Sequence, residues 1–460
     1  MKNERKLWQP LIPVVERIAN GKKQRMHTPR EAQSSSAYAS NDRLDPVQLI
    51  IDSNSDRVQE LVPIRHSRML QSPFAFFRGT ANIMAEDLSH TPSSGIFVQS
   101  CGDCHLFNFG GYATPERNQV FDINDFDETL PAPFEWDLKR LTASIVLAGR
   151  YKGFTEKIIG KAVLDTVEMY ANKMRKYSTM HQLDIWYSRL DKKTILKLFK
   201  KEPDFIKRVQ TAADKAKYRT HEHVFPKISI LKDGKRRIVD EPPLIYHPPE
   251  VDQLIESAKA FFDKYYKTLT EDKKILLNRF RLVDAAIKVV GVGSVGTRCF
   301  IALFVAEDDD ALILQVKEAN SSVLEAYTEK AIYKNHGERI VNGQRLMQTE
   351  SDIFLGWTSD KSGRDFYVRQ LRDMKAGANI ENFTPGIFSN YALLCGWSLA
   401  KSHAKSGFSP EITGYIGNSN VFAKAITDFA IGYAGQAVKD YLKFQEAVKK
   451  QLIPVLSEVV

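Results

Sequence analysis

Residues 101–128 have the sequence CGDCHLFNFGGYATPERNQVFDINDFDE, in which six carboxylates and one histidine alternate with apolar residues. The apolar runs 96–98 and 120–121 are typical of short buried strands, and Thr114–Asn118 between them predicts a hairpin turn. Most of the acids therefore fall at strand ends, where burial without basic partners is costly. This density of acids predicts a metal site or a reaction in the stretch.

Length and composition indicate a globular protein. The chain has 460 residues, of which 43% are hydrophobic and 26% charged, and no apolar run approaches the roughly 18 residues that a membrane span requires. The N-terminus is basic but lacks the apolar segment and cleavage site of a signal peptide. Together with only four cysteines, these features predict a cytoplasmic protein with no membrane association.

The net charge of +9 permits an anionic partner such as a nucleotide, a phosphorylated substrate or a nucleic acid. Basic clusters occur at 192–193, 197–201 and 232–237, without the interleaved aromatic residues of a nucleic-acid module. We interpret them as solvated faces, so nucleic acid is not an expected partner.

A G-x-G-x-x-G pattern, with its glycines at Gly291, Gly293 and Gly296 and a serine at Ser294, lies between two predicted strands. A Rossmann unit uses this pattern between a strand and a helix, whereas a kinase uses it between antiparallel strands to cover ATP phosphates. Residues 297–305 alternate like a strand, and no acidic residue follows at the Rossmann position. The sequence favours the strand–loop–strand alternative.

Lys317 lies in the next predicted strand, 312–318, among apolar residues. A desolvated ammonium needs an anionic partner, and nucleotide phosphates and a helix glutamate are the expected ones. Glu338, early in a predicted helix, is the preferred glutamate, with Glu325 and Glu329 as rivals.

The predicted strand 366–371 leads towards a hinge. We expect the backbone of Gln370 and Leu371 to meet the adenine of ATP, and we interpret Arg369 as structural. Arg78, close in sequence to the acidic stretch, either positions a phosphate or pairs with an acid.

Phosphoryl transfer requires a carboxylate for the substrate hydroxyl and oxygen ligands for Mg²⁺. Asp103 and Asn108 are five positions apart in one loop and can supply a base and a metal ligand to the same cleft. Asp125, at the end of the next strand, completes the metal site, and His105 braces the loop through hydrogen bonds.

The segment Gly102–Asn108 resembles the catalytic loop of the aminoglycoside phosphotransferase and choline kinase branch of the protein-kinase-like superfamily. Asp125-Phe126-Asp127 resembles the metal-binding DFG position, and Asp137-Leu138 resembles the pair that anchors the catalytic loop in that branch. The resemblance implies ATP and Mg²⁺ as cofactors. Nearly the whole chain also resembles the bacterial domain of unknown function 2252 family, through the segments SPFAFFRG, GDCHLFNFG, VFDINDFDE, EWDLKRL, QVKEA and YVRQLRDMK.

Two departures from the kinase pattern stand out. Cys101 replaces the histidine that usually opens the catalytic loop, and the catalytic loop precedes the glycine loop instead of following it. We expect a circular permutation, in which the segment Asn390–Gly407 resembles the helix that normally leads into the catalytic loop. The spacing leaves Asp122 and Asp127 as alternatives to Asp125.

The cysteine spacing in Cys101–His105 also matches a c-type haem motif and contains the C-x-x-C of redox or zinc sites. Without a signal peptide or a second ligand pair, we interpret the cysteines as incidental to the loop.

The predicted fold class is α+β, a protein-kinase-like bilobal fold with a small antiparallel-sheet nucleotide lobe, a larger helical lobe and a permuted sequence order. The predicted function is ATP- and Mg²⁺-dependent phosphotransfer to an unidentified hydroxyl acceptor. The alternatives are a nucleotide-binding pseudokinase that regulates a partner and an AMP transferase on the same fold. The predicted domains are an N-terminal helix and polar arm (1–60), a catalytic-loop and metal segment with a helical lobe (61–282), a glycine-loop nucleotide lobe (283–375) and C-terminal helices (376–460).

Overall fold

The computed structural model describes residues 11–218, 225, 228–232, 235–247, 251–289, 291–371 and 375–456. His221 and His223, which the sequence indicates are surface histidines, lie outside these residues. The helices are α1 (Val14–Gln24), α2 (Pro46–Asp52), α3 (Val62–Met69), α4 (Pro73–Arg78), α5 (Ala81–Ser89), α6 (Phe134–Tyr151), α7 (Glu156–Ser178), α8 (Gln182–Tyr187), α9 (Lys192–Leu198), α10 (Pro203–Lys217), α11 (Val251–Tyr266), α12 (Glu271–Leu277), α13 (His336–Met347), α14 (Pro385–Ser406), α15 (Ser409–Ile416) and α16 (Val421–Lys449).

The strands form antiparallel sheets, so the fold is mixed α+β. They are β1 (Phe97–Ser100), β2 (Phe109–Ala113), β3 (Gln119–Ile123), β4 (Leu130–Pro133), β5 (Ser229–Lys232), β6 (Lys235–Ile238), β7 (Ile245–Tyr246), β8 (Arg281–Lys288), β9 (Cys299–Val305), β10 (Ala311–Glu318), β11 (Gly356–Ser359), β12 (Asp365–Gln370) and β13 (Ala376–Gly377).

The largest sheet of the described residues has the strand order β11-β12-β10-β9-β8-β7. The glycine loop joins β8 to β9, which pair antiparallel with Ile287 opposite Phe300. The predicted strand–loop–strand arrangement is therefore confirmed, and a Rossmann unit, which needs parallel strands, is excluded at this point.

Helices α11 and α12 pack on this sheet, where Tyr265 and Leu277 share a core with Leu314 of β10. The predicted boundary at 282/283 falls inside β8, which begins at Arg281. Residues of α11 and α12 therefore supply part of the apolar cover of the sheet.

The helical part of the molecule is built around α6. Leu141 of α6, Tyr170 of α7, Leu399 of α14 and Phe429 of α16 belong to one apolar core. Helix α6 is buried on nearly all sides, as expected of a helix enclosed by other helices. The short pairs β1–β4 and β2–β3 carry the acidic stretch along the edge of this core.

Helices α4 and α5 are separated by a break at Gly79 and Thr80. The Ser72 hydroxyl caps α4 by accepting a hydrogen bond from the Ala75 N–H at 3.0 Å. Arg65 donates to the Gly79 carbonyl at 2.8 Å, which satisfies an acceptor where the helical hydrogen-bond pattern stops.

The polar tract 21–45, part of the predicted N-terminal arm, packs on the rest of the protein. Arg43 bridges Asp87 of α5 and Asp440 of α16 at 2.6 and 2.7 Å. The Gln33 amide donates to the Tyr415 hydroxyl at 2.9 Å. In the described part of the chain, no helix combines the length and the apolar character needed to cross a bilayer.

Candidate functional site

Asp137, in the first turn of α6, anchors the loop that begins at Cys101. Its carboxylate accepts hydrogen bonds from the Cys101 N–H at 2.7 Å and the Gly102 N–H at 2.9 Å. Gly102 has φ +80°, and a Cβ there would lie 2.3 Å from the Glu128 carbonyl oxygen, so only glycine fits. The anchoring contact expected of Asp137 is present.

His403 of α14 braces the same carboxylate. Its Nε2 atom lies 3.1 Å from Asp137 Oδ2, and its Nδ1 atom lies 2.9 Å from the Tyr170 hydroxyl. A histidine therefore contacts the loop anchor from another part of the chain, although Cys101 occupies the position at which the kinase pattern has one.

Asp103 lies in the loop with a carboxylate that is 22% exposed. Its Oδ1 atom is 2.7 Å from Arg140 Nε and 2.6 Å from Arg140 Nη2. The Oδ2 atom accepts no hydrogen bond among the described residues and lies 3.7 Å from His105 Nε2. One oxygen is thus fixed, and the other can receive a proton.

His105 braces the loop, as predicted, because its Nδ1 atom accepts a hydrogen bond from the Phe107 N–H at 3.2 Å. Burial lowers the pKa of His105 to about 3, against the raising effect of Asp103. The imidazole is therefore neutral at physiological pH, which suits this accepting role.

Asn108 is held close to Asp103 by its side-chain amide, which donates to the Asp103 carbonyl at 2.6 Å. The Asn108 N–H donates to the His105 carbonyl at 2.8 Å, so the loop folds back on itself. Within the described residues the Asn108 Oδ1 atom accepts no hydrogen bond, which leaves it available as an oxygen ligand.

Lys317 of β10 joins the acidic stretch to the large sheet. Its side chain is 3% exposed, and Nζ lies 2.6 Å from Asp127 Oδ2 and 3.8 Å from Asp125 Oδ1. The Tyr367 hydroxyl, on the paired strand β12, donates to Asp127 Oδ1 at 2.7 Å. Both oxygens of Asp127 are therefore engaged by the sheet.

The pKa values of Asp125 and Asp127 are shifted in opposite directions. Burial would raise the pKa of Asp127, but the Lys317 ammonium and the Tyr367 hydroxyl lower it below its ordinary value. Burial and the neighbouring charge of Asp127 raise the pKa of Asp125. The carboxylate of Asp125 is 35% exposed and its Oδ2 atom accepts no hydrogen bond from a described residue, so a cation beside Asp125 would stabilise its charged form.

Asp122, one of the alternatives, is fully buried. Its carboxylate contacts the Lys401 ammonium and accepts hydrogen bonds from the Ser398 hydroxyl at 2.8 Å and the Thr349 hydroxyl at 2.7 Å. Burial would raise the pKa of Asp122, but Lys401 lowers it. Its oxygens are occupied, so Asp122 joins α14 to β3 and is poorly suited to a metal.

The predicted ion pair between Lys317 and Glu338 is wrong. No ion pair joins these two described residues, and Lys317 instead meets Asp125 and Asp127. Glu325, a rival candidate, closes a capping box with Ser322.

From α13 it is Arg339 that reaches the acidic stretch. It donates to the carbonyls of Thr129 at 2.6 Å and Asp127 at 2.9 Å. These hydrogen bonds hold α13 against the acidic stretch. The contact of α13 with this stretch is thus made by an arginine, where the sequence predicted a glutamate beside Lys317.

Residues from the N-terminal part of the chain form hydrogen bonds with the glycine loop. Gly291 and Gly296 have φ of +67° and +87°, values that favour glycine. Arg57 donates to the Val295 carbonyl at 2.5 Å, and the Val58 N–H donates to the Gly296 carbonyl at 2.8 Å. Ser294, half-buried in the middle of the loop, accepts a hydrogen bond at its carbonyl from Thr297.

The backbone N–H groups of Gln370 and Leu371, which we expected to meet adenine, both donate hydrogen bonds within the protein. The Leu371 N–H donates to the Ile313 carbonyl at 3.0 Å, and the Gln370 N–H donates to the Asp352 carboxylate. Neither N–H is free to meet a base, because both are used within the sheet and its edge.

Cys101 and Cys104 are buried free thiols. Although its hydrogen bond with Cys104 lowers the pKa of Cys101, burial and the charge of Asp137 raise it to about 11. Protonated thiols are poor nucleophiles and poor metal ligands. Across the described residues no group of three or more His, Cys, Asp or Glu side chains is arranged to hold a metal.

Sequence reasoning missed the contacts that link distant parts of the chain, although three of the residues lie in segments that it singled out. Arg140 belongs to EWDLKRL, Tyr367 to YVRQLRDMK and Lys401 to Asn390–Gly407. Arg339 had no local signal, because its partner Asp127 lies far away in sequence.

The assembled site places a carboxylate-rich segment against a buried lysine of an antiparallel sheet. The family model described as an uncharacterized protein conserved in bacteria (DUF2252) matches residues 57–447. The chain belongs to this family. Comparison with curated proteins and with solved structures gives no match.

Proposed function

We propose that the protein is an ATP- and Mg²⁺-dependent phosphotransferase of circularly permuted protein-kinase-like fold that acts on a hydroxyl acceptor. The observation that carries the proposal is the contact of Lys317 with both Asp127 and Asp125. A kinase site needs a phosphate-binding lysine close to metal-binding acids. This lysine lies on the third strand of the sheet, counted from the strand that precedes the glycine loop. Here β8, the glycine loop, β9 and β10 occur in that order, and Lys317 lies on β10.

The residues present fit magnesium and nucleotide phosphates. Mg²⁺ is commonly held by one or two carboxylates together with substrate phosphates. Asp125 Oδ2 and Asn108 Oδ1 carry no hydrogen bond from a described residue, so they are the oxygens we assign to the metal. MgATP would supply the phosphoryl group. Lys317 would bind the phosphates, and Asp103 Oδ2 would accept the proton of the acceptor hydroxyl.

The permuted order is supported by the junction of α14 and β1. The Ser406 hydroxyl, at the end of α14, donates to the Gln99 carbonyl at 3.4 Å. A Cβ added at Gly407 would lie 2.7 Å from Cγ1 of Val98. Helix α14 therefore ends beside the strand that leads into the catalytic loop, where an unpermuted chain would continue directly.

Calorimetric titration of the full chain with ATP and Mg²⁺ tests the proposal. Lys317→Ala and Asp125→Ala should each weaken ATP binding at least about tenfold, a loss of roughly 1.4 kcal/mol. Lys161→Ala and Asp165→Ala remove the partners of an exposed pair on α7 and serve as matched controls. Unchanged affinity in both site variants would overturn the proposal.

The type of transfer is tested with ATP labelled at the α or the γ phosphate and a panel of hydroxyl acceptors. Transfer of the γ label supports a phosphotransferase. Transfer of the α label assigns AMP transfer, the alternative on the same fold. Nucleotide binding without label transfer to any acceptor favours a pseudokinase.

A further inference from the structure

Arg78, the last residue of α4, lies between the glycine loop and the catalytic loop. Its backbone carbonyl oxygen is 3.1 Å from the position that a Cβ on Gly293 would occupy. Its guanidinium carbon lies 4.6 Å from the centre of the Phe107 ring, within the loop that carries Asp103 and Asn108. Arg78 thus borders both halves of the cleft.

The guanidinium of Arg78 has no anionic partner among the described residues. Its Nε atom is buried without a hydrogen bond, and neither Nη atom bonds to a described residue. The nearby acid is Asp103, whose Oδ1 atom is already paired with Arg140. A buried donor without an acceptor is unfavourable, so the Arg78 guanidinium is available to a ligand oxygen.

The neighbouring buried arginines behave differently. Arg65 donates to Asn54 Oδ1 at 2.7 Å and to the Gly79 carbonyl at 2.8 Å. Arg140 combines its ion pair with Asp103 and a hydrogen bond to the Phe77 carbonyl at 3.0 Å. These two have structural partners, whereas among the described residues the Arg78 guanidinium has ring contacts with Phe74 and Phe107 but no hydrogen bond.

We propose that Arg78 is a catalytic arginine, supplied in cis, that contacts the oxygens of the transferred phosphoryl group. This inference depends on the proposed function. In the transfer, the bond from the γ-phosphorus to the bridging oxygen breaks and its electron pair leaves with ADP. The acceptor oxygen bonds to phosphorus, and the hydroxyl proton goes to Asp103.

Arg78 keeps its protons throughout and stabilises the negative charge spread over the three phosphoryl oxygens. Catalytic arginines of this kind act mainly in the transition state, so their removal affects the transferring group more than the bound nucleotide. This difference separates a catalytic role from a purely structural one.

The test measures binding of MgADP to the full chain by calorimetry, with and without aluminium fluoride, which mimics the phosphoryl group in transfer. In the wild type, aluminium fluoride should tighten MgADP binding at least about a hundredfold, which is the smallest gain in affinity typical of transition-state analogues. In Arg78→Met, which keeps an apolar side chain on Phe107, this gain should fall at least about tenfold while MgADP affinity stays within about threefold.

Two further variants keep the result interpretable. Arg78→Lys retains the charge without the fork of donors and should recover part of the gain. Arg150→Met, which removes an arginine of the exposed pair with Glu156, should behave as wild type. The midpoint of thermal unfolding, measured for each variant, should stay within a few degrees of wild type.

An equal fluoride effect in wild type and Arg78→Met would overturn the role of Arg78 alone. A parallel loss of MgADP affinity and thermal stability in Arg78→Met would also overturn it, in favour of a structural arginine. Absence of MgADP and MgATP binding by the wild type would overturn the proposed function, and this inference with it.

Discussion

The Nζ atom of Lys317 lies 2.6 Å from Oδ2 of Asp127, although 190 positions of sequence separate the two residues. Because Lys317 is almost completely buried while Asp127 is 27% exposed, the pair lies where the sheet closes over the acidic stretch. The ion pair therefore joins the large sheet to the acidic stretch 101–128 and also belongs to the candidate site.

Lys317→Met should lower the free energy of unfolding by about 1–3 kcal/mol. Loss of one member of a buried pair costs about 3–5 kcal/mol, and we reduce this figure because both carboxylates are partly exposed to solvent. Asp125 and Asp127 would then repel each other without a compensating cation. Urea unfolding of the wild type and the variant measures the difference.

The matched control is the double variant Lys317→Met with Asp127→Asn. Because removing the orphaned charge relieves repulsion, the double variant should be more stable than the sum of the single effects predicts. Strict additivity of the two substitutions would show that Lys317 and Asp127 are not coupled.

Asp122 and Asp125 should respond oppositely to substitution by asparagine. Asp122→Asn leaves the Lys401 ammonium buried without its charged partner and should cost about 3–5 kcal/mol of stability. Asp125→Asn removes repulsion with Asp127 and should leave stability unchanged or slightly raised, while it weakens MgATP binding. Thermal unfolding with calorimetric titration of both variants distinguishes these outcomes, and equal destabilisation would contradict the assignment of roles.

The arrangement around the glycine loop was predictable because its signals are local. The alternation of apolar residues in 297–305 and the apolar neighbours of Lys317 can each be recognised within a few consecutive residues. The resemblance of Asp137-Leu138 to the anchoring pair of the kinase branch likewise indicated the loop anchor, because that motif is a local sequence pattern.

Partners of buried charges were less predictable. A buried ammonium requires an anion, but the sequence does not say which acid the fold will bring to it. Lys317 meets Asp127 where a helix glutamate was expected, and α13 presents Arg339 to the same segment. The partners of Arg43 in the tract 21–45 were likewise unpredictable, because the fold brings Asp87 and Asp440 together.

Asp137→Asn should destabilise the catalytic loop by about 2–4 kcal/mol. An amide has one oxygen, so either the Cys101 or the Gly102 N–H would face an NH₂ group and lose its acceptor. Urea unfolding measures the loss, and Asp165→Asn on the exposed face of α7 is the control. A change below about 0.5 kcal/mol, typical of surface sites, would contradict the anchoring role.

His66 of α3 gives the fold a defined acid sensitivity. Its Nδ1 atom lies 2.8 Å from the Pro454 carbonyl oxygen, and its Nε2 atom lies 3.1 Å from the Asn54 side-chain nitrogen. The neutral tautomer with a proton on Nδ1 satisfies both contacts, whereas a second proton on Nε2 would face the Asn54 amide. Burial lowers the pKa of His66 to about 4, against the raising effect of the Pro454 carbonyl.

Because the unfolded chain binds a proton at His66 below about pH 6.5 and the folded chain does so only below about pH 4, acid favours unfolding. The contribution of His66 to stability should be complete above pH 6.5 and fall by about 3 kcal/mol as the pH approaches 4, at about 1.4 kcal/mol per pKa unit. Unfolding free energies of the wild type and His66→Gln, measured from pH 7.5 to pH 4.5, should converge as the pH falls, since glutamine supplies a donor and an acceptor that do not titrate. A constant difference between the wild type and His66→Gln across this pH range would contradict the prediction.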